Sequence, residues 1–224
     1  MKRYATLLLI LSLVAVLAPA GAAPQSSESL PTADQVLDRY VIALGGKAAL
    51  QKLNSRVAKG TIELPEQLAT GTVLIQSKAP NSGRYTIDIA DFGKVEQSFD
   101  GAAGWADNPQ TGLRDMTAEE IEYVRISSDF HAPLNMRQTY SGLAVKAKET
   151  LSGGQAYVLE GKQRDGRVRV MYFDAATGLL VRYVVERGTP EGPLKVDNYL
   201  EDYRQVDGIQ FPHTQRQINP AFTS

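Results

Sequence analysis

From Ser55 onward, apolar and polar side chains alternate in a series of short segments separated by turns. A side chain at every second position faces the same way along an extended chain, so alternation marks strands with one buried face and one solvated face. The segments are Arg56–Leu64, Gly71–Ser77, Arg84–Asp91, Lys94–Asp100 and a short piece around Trp105, then Ala144–Thr150, Gln155–Glu160, Arg167–Asp174, Leu179–Arg187, Leu194–Tyr203 and Ile209–Gln217. Tyr85-Thr86-Ile87-Asp88-Ile89 is the cleanest of them. Ser152-Gly153-Gly154, Asp165-Gly166, Ala175–Gly178 and Asp207-Gly208 supply turn chemistry between neighbours. Consecutive strands with short turns predict an antiparallel meander, and no βαβ alternation asks for a parallel sheet.

Helical spacing breaks this pattern in two places. Thr32 with Gln35 three residues on forms a capping box, and Val36, Leu37, Tyr40, Val41 and Leu44 then recur on one helical face. Gly45-Gly46 ends that helix, because glycine takes the left-handed conformation of a helix C-terminus without steric cost. A shorter helical turn over Lys47 to Leu53 comes next. Thr117 with Glu120 opens a further helix carrying Ile121, Val124 and Ile126 to about Asp129, and Phe130 to Tyr140 is irregular or briefly helical. The order is a helix pair, five strands, a helix and six strands. This is a mainly β (α+β) chain, a curled antiparallel sheet of about eleven strands with two or three helices on one face.

The first residues have a third pattern. Lys2 and Arg3 precede an apolar run from Ala5 to Leu17, and small residues come after it at Ala18, Ala20, Ala22 and Ala23. The run is shorter than the ~20 residues that span a bilayer, so it reads as a cleavable secretory signal with Ala22 as the favoured cut. The expected organisation is a signal peptide over 1–22, a polar spacer over 23–31, one domain over 32–217 and a tail over 218–224. The expected location is the periplasm, and the processed chain is not an integral membrane protein. Processing leaves 22 basic against 25 acidic side chains, a net charge near −3. That balance argues against nucleic acid and anionic membrane surfaces, which select clustered positive charge. With no cysteine in the chain, stability comes from packing alone, and thiolate chemistry is excluded.

Motifs for catalysis are missing. Leu151-Ser152-Gly153-Gly154-Gln155 copies the signature loop of ABC-transporter ATPases, but no phosphate-cradling loop accompanies it, so it reads as a hairpin turn. His131 and His213 are the only histidines, without metal-site spacing. No Gly-x-Ser-x-Gly occurs, and Glu119-Glu120 sits where a helix N-terminus favours acid. No catalytic residue, metal ligand or cofactor site is expected. A hydrolase would need a site assembled only in space.

What remains is apolar. Alternation places Tyr85, Ile87, Ile89, Val95, Phe99, Val170, Tyr172, Val181 and Tyr183 on one face, and Trp105 is the only tryptophan. Those ten residues are the candidate ligand-binding set. Either the face is packed solid under the helices, or a strongly curled sheet leaves a hollow that two or three short helices do not fill. A hollow of several hundred Å³, on the order of known ligand sites, would hold an acyl chain. A filled core would instead suit an accessory module that docks an envelope protein partner.

Several stretches carry a resemblance. They are Asp38-Arg39-Tyr40, Ala43 through Leu50, Lys59-Gly60-Thr61, Phe99-Asp100-Gly101 with Gly104-Trp105, Tyr172-Phe173-Asp174 with Thr177-Gly178-Leu179-Leu180, and Glu201 through Arg204 with Val206-Asp207-Gly208 and Phe211-Pro212. Together they resemble exported bacterial domains of the outer-membrane lipoprotein-sorting (LolA-like) superfamily. The branch they resemble occurs alone and fused to insulinase-type peptidases. The resemblance implies an incomplete barrel of about eleven antiparallel strands whose concave apolar face, lidded by helices, binds a lipid or lipoprotein acyl chain without catalysis. In the lipoprotein carriers an early-strand arginine helps hold the lid. Arg56 is nearest by order, but its surrounding motif does not match, so no role is carried over.

Overall fold

The computed structural model describes residues 29–218 except 152, 190 and 191, and the side chains of 187–193 are also left aside. The expected signal peptide, most of the spacer and most of the tail lie outside the described residues. Two short helices come first, α1 (Ala33–Ala43) and α2 (Lys47–Lys52). A six-stranded antiparallel meander is next: β1 (Ser55–Leu64), β2 (Ala69–Lys78), β3 (Ser82–Ile89), β4 (Gly93–Phe99), β5 (Gly104–Asp107) and β6 (Arg114–Asp115). Helices α3 (Ala118–Ser127) and α4 (Ala132–Thr139) lead to a second meander, β7 (Ser141–Leu151), β8 (Gly154–Lys162), β9 (Val168–Asp174), β10 (Leu180–Thr189), β11 (Gly192–Val206) and β12 (Ile209–Ile218). The curled, helix-covered β architecture therefore stands, as two six-stranded sheets rather than one and with no closed barrel. The additional strand, β6, has only two residues, too few for alternation to show.

Local chemistry forms the helices as expected. Thr32 Oγ1 accepts from Gln35 N at 3.2 Å, and Gln35 Oε1 accepts from Thr32 N at 2.8 Å. The same reciprocal box opens α3, where Thr117 N donates to Glu120 Oε2 at 2.8 Å. Leu151 pairs with Gly154, and Thr150 with Gln155, across the antiparallel β7–β8 ladder, so the described residues of the ATPase-like string belong to a β-hairpin.

The core lies on the inner face of the second sheet. Val36, Leu37, Tyr40 and Leu44 of the first helical segment pack with Leu50, Met136 and Tyr140 on Leu159, Met171, Phe173, Leu180 and Ile209. Tyr40 and Phe173 meet edge to face at 5.2 Å between ring centroids, the geometry aromatic pairs prefer. Arg39 Nη2 donates to Ala175 O at 2.9 Å beside them. Among the described residues nothing comparable covers the first sheet: no residue from 51 to 98 is buried. Among the described residues no helix is long and apolar enough to cross a membrane.

Candidate functional site

The registers of β1 to β4 place Ala58 beside Ile75 and Tyr85, Gly60 beside Val73, Ile87 and Val95, and Ile62 beside Gly71 and Ile89. Cross-strand neighbours share a face, so these rows form one apolar surface. The opposite surface carries Lys59, Thr61, Glu63, Thr72, Arg84, Asp88, Lys94 and Glu96 and faces water. The apolar surface looks inward. Arg56 belongs to it, in the row of Ser77, Gly83 and Phe99, and its guanidinium lies 5.3 Å from the ring centroid of Phe211, which packs on the core under α1. Desolvation pushes the Arg56 pKa down although the side chain still reaches solvent.

This inward surface is only half covered. Val73, Ile75, Tyr85, Ile87, Ile89 and Val95 all retain partial exposure, and only Phe99 at its end is fully buried. Apolar area left in water costs about 25 cal/mol per Å². An extended alkyl chain laid along it would remove that cost.

Among the described residues helix α3 reaches over this surface. It packs against β4 of the first sheet, and its residues Tyr123, Ile126 and Ser127 also close a small hollow over Gln163, Arg167, Val168, Arg169 and Val185 of the second. It spans the gap between the sheets, yet none of its residues is buried. Its anchorage is polar and lies at its N-terminus. Arg114 forks onto Glu120 with contacts of 2.7 and 2.8 Å, and Glu120 also accepts from Thr117 N. Those contacts hold the Glu120 carboxyl down to about 2. His131 comes after α3 and donates from Nε2 to Leu53 O at 3.1 Å, a structural tie.

The hairpins of the first sheet give one end of this surface apolar tips. Turns β1–β2, β3–β4 and β5–β6 lie at the same end of a meander, and they expose Leu68 (94 %), Phe92 (55 %) and Leu113 (71 %). Pro109 packs so closely on Gly93 that a side chain there would strike it. The second and third tips are thereby held together.

The ten candidate residues do not share one face. Tyr85, Ile87, Ile89, Val95 and Phe99 do, as expected. Trp105 pairs with Ser98, and Ser98 with Arg84, so the indole lies on the polar face with the Arg84 guanidinium 5.4 Å above it. It borders an open hollow of about 550 Å³ lined also by Glu96, Asp107, Leu113, Arg114 and Asp115, four of these five being charged side chains. Val170, Tyr172 and Val181 lie on the outer face of the second sheet, with Ala156 and Val158. There Arg182 sits 4.6 Å over Tyr172 and 5.5 Å over Tyr199 and pairs with Asp197. Tyr183 alone of that group faces inward, against the core under α1. The cause is local. Both faces of β9 are apolar, and the β9–β10 register shifts between Leu180 and Arg182, so Val181 and Arg182 both turn outward.

The expected hollow of several hundred Å³ is also not where the helices lie. Among the described residues, the space under α1, α2 and α4 is occupied by the buried core side chains, and the hollow beneath α3 has a volume of about 20 Å³.

With this geometry two solved structures align over most of the chain. A DUF1329 family protein from Desulfovibrio piger matches with a TM-score of 0.54 at 16 % identity, over 85 % of this chain and 89 % of that one. A LolA superfamily protein from Nitrosomonas europaea matches with a TM-score of 0.54 at 14 % identity, over 85 % and 87 %. The domain is LolA-like in fold. No family model and no curated protein matches the chain. At these identities the LolA-like likeness fixes the architecture, and function rests on the site itself.

Proposed function

We propose that this protein is an exported, non-catalytic carrier that holds a lipid or lipoprotein acyl chain on the half-covered inner face of its first sheet. The observation that carries the reading is the contrast between the two halves. The second sheet has a solid core, whereas an ordered apolar surface on the first has no buried residue from 51 to 98. Each methylene taken fully out of water between this surface and α3 contributes ~0.8 kcal/mol, which supplies the drive for binding. No large enclosed space stands ready beneath α3, so cargo enters by displacing that helix. The displacement is cheap, because α3 is fixed by its capped N-terminus and buries no side chain. The LolA-like fold and the export signal expected over residues 1–22 agree with an envelope carrier. The apolar tips at Leu68, Phe92 and Leu113 mark the end at which a chain would pass from a donor surface.

One observation favours a second reading, an accessory module that docks an envelope protein partner: the inner face of the second sheet is filled. Native mass spectrometry separates the two. Protein exported by and purified from its own cell envelope is expected to carry a lipid-sized adduct that organic extraction removes. An adduct-free protein that binds no added lipid would overturn the carrier reading.

A further inference from the structure

Among the described residues, Arg169 is an inward-facing cation without a counter-ion. It stands on β9 with its guanidinium 4.7 Å from the ring centroid of Tyr183, and its Nε is buried with no hydrogen-bond partner. The neighbouring arginines are engaged. Arg167 pairs with Asp165, and Arg182, on the outer face, pairs with Asp197. Glu186 borders the same hollow as Arg169, but no ion pair joins the two among the described residues. A guanidinium keeps its charge and offers five N–H donors in one plane, and a buried donor left unmatched is a standing cost to the fold.

We infer that Arg169 takes the headgroup of the carried molecule, and that this molecule is a long-chain carboxylate. The hollow beside Arg169, roofed by Tyr123, Ile126 and Ser127 of α3, has a volume of about 20 Å³. A single water needs ~10–15 Å³, so with α3 in place the space holds one or two water-sized groups, and a flat carboxylate asks for the smallest displacement of the helix as it enters. A carboxylate accepts two parallel N–H bonds from one guanidinium, and the Tyr183 ring fixes the plane in which the fork lies. Because α3 reaches from this hollow to β4, a chain attached to the carboxylate runs under the helix toward Val95 and Ile87. The placement of that chain rests on the function proposed above; the anion contact is the new element.

The test compares palmitic acid with methyl palmitate as competitors for a fluorescent fatty-acid probe on the processed protein. The acid is expected to bind about tenfold more tightly than the ester, as a charge-assisted bidentate contact gives. Arg169→Gln is expected to erase that preference by weakening the acid alone, and Arg169→Lys to restore part of it. Thermal unfolding shows whether the variants fold; should Arg169→Gln fail, the wild-type ratio and the Lys variant decide. Equal binding of acid and ester by the wild type overturns the Arg169 assignment and leaves the carrier reading standing. No binding of either overturns both. Inorganic phosphate that stabilises the protein as well as palmitate does would also overturn it, by pointing to a free anion in place of an amphiphile.

Discussion

Gly45 and Gly208 touch where the first helical segment ends. Gly45 has φ +119°, and a Cβ built on it would collide with the Gly208 carbonyl oxygen. Beside this contact, Leu44 O accepts from Gln210 N at 2.9 Å. The end of α1 is thus seated directly on the β11–β12 turn, and the helix is locked across the core of the second sheet.

Gly45→Ala should therefore cost more than a left-handed backbone alone explains. The neighbouring Gly46 has φ +88° and ψ 160°, an essentially glycine-only region, with nothing within 4 Å of a Cβ, so Gly46→Ala reports a conformational cost of ~1–3 kcal/mol without a collision. Urea unfolding should place Gly45→Ala about 1 kcal/mol or more below Gly46→Ala. Equal losses would mean that the α1 end is not clamped.

The two halves of the molecule should respond differently to loss of apolar volume. Phe173, only 1 % exposed and in contact with Tyr40, should lose about 3–5 kcal/mol on substitution by Ala, as fully buried Phe does. Ile87 retains partial exposure, and Ile87→Ala should cost about 1 kcal/mol. Chemical denaturation of both variants checks this, and an Ile87 loss near that of Phe173 would mean that the first sheet is covered after all.

Much of the fold is legible in the chain alone, for physical reasons. Capping boxes at Thr32 and Thr117 are local hydrogen-bond chemistry, and both form where the residue spacing puts them. Some of the stretches that carry the family resemblance also dock α1: Asp38-Arg39-Tyr40 meets the Ala175–Gly178 turn, and Gly45 meets Gly208. The face of each strand is less legible. In β3 polar residues alternate with apolar ones, and the buried face is plain at once. In β9 Val170 and Tyr172 alternate with Met171 and Phe173, so periodicity cannot choose, and the register shift at Val181 changes which side chains of β10 turn inward. Trp105 lies in a four-residue strand, too short to phase. Arg169 gives no signal in the chain, since an unmatched guanidinium is a property of its neighbours in space.

Acid should loosen α3. In the unfolded chain Glu120 titrates near 4.5, but Arg114 and the Thr117 N–H hold it at about 2 in the fold. A depressed carboxyl contributes stability that is complete above pH ~4.5 and is lost as pH falls through ~2. Solvent screens this half-exposed pair, so the effect is modest. The stability difference between wild type and Glu120→Gln should shrink steadily from pH 5 to pH 2. A difference that stays constant across that range would mean that Glu120 does not hold the helix.

Substitutions on opposite faces of the first sheet should separate binding from folding. Ile87→Asp puts a charge on the inward surface and should reduce affinity for a fluorescent fatty acid at least tenfold, with the protein still folded by circular dichroism. Trp105→Ala, on the polar face under Arg84, should leave affinity unchanged. The reverse result would move the site to the open hollow around Trp105.

The central claim is where an alkyl chain lies. A fatty acid carrying a photoreactive diazirine near its tail, bound to the processed protein, irradiated and mapped by peptide mass spectrometry, reads this directly. Adducts should concentrate on β2, β3 and β4, at Val73, Ile75, Ile87 and Val95. Adducts confined to the outer faces around Tyr172 or Trp105, or none above an unbound control, would contradict it.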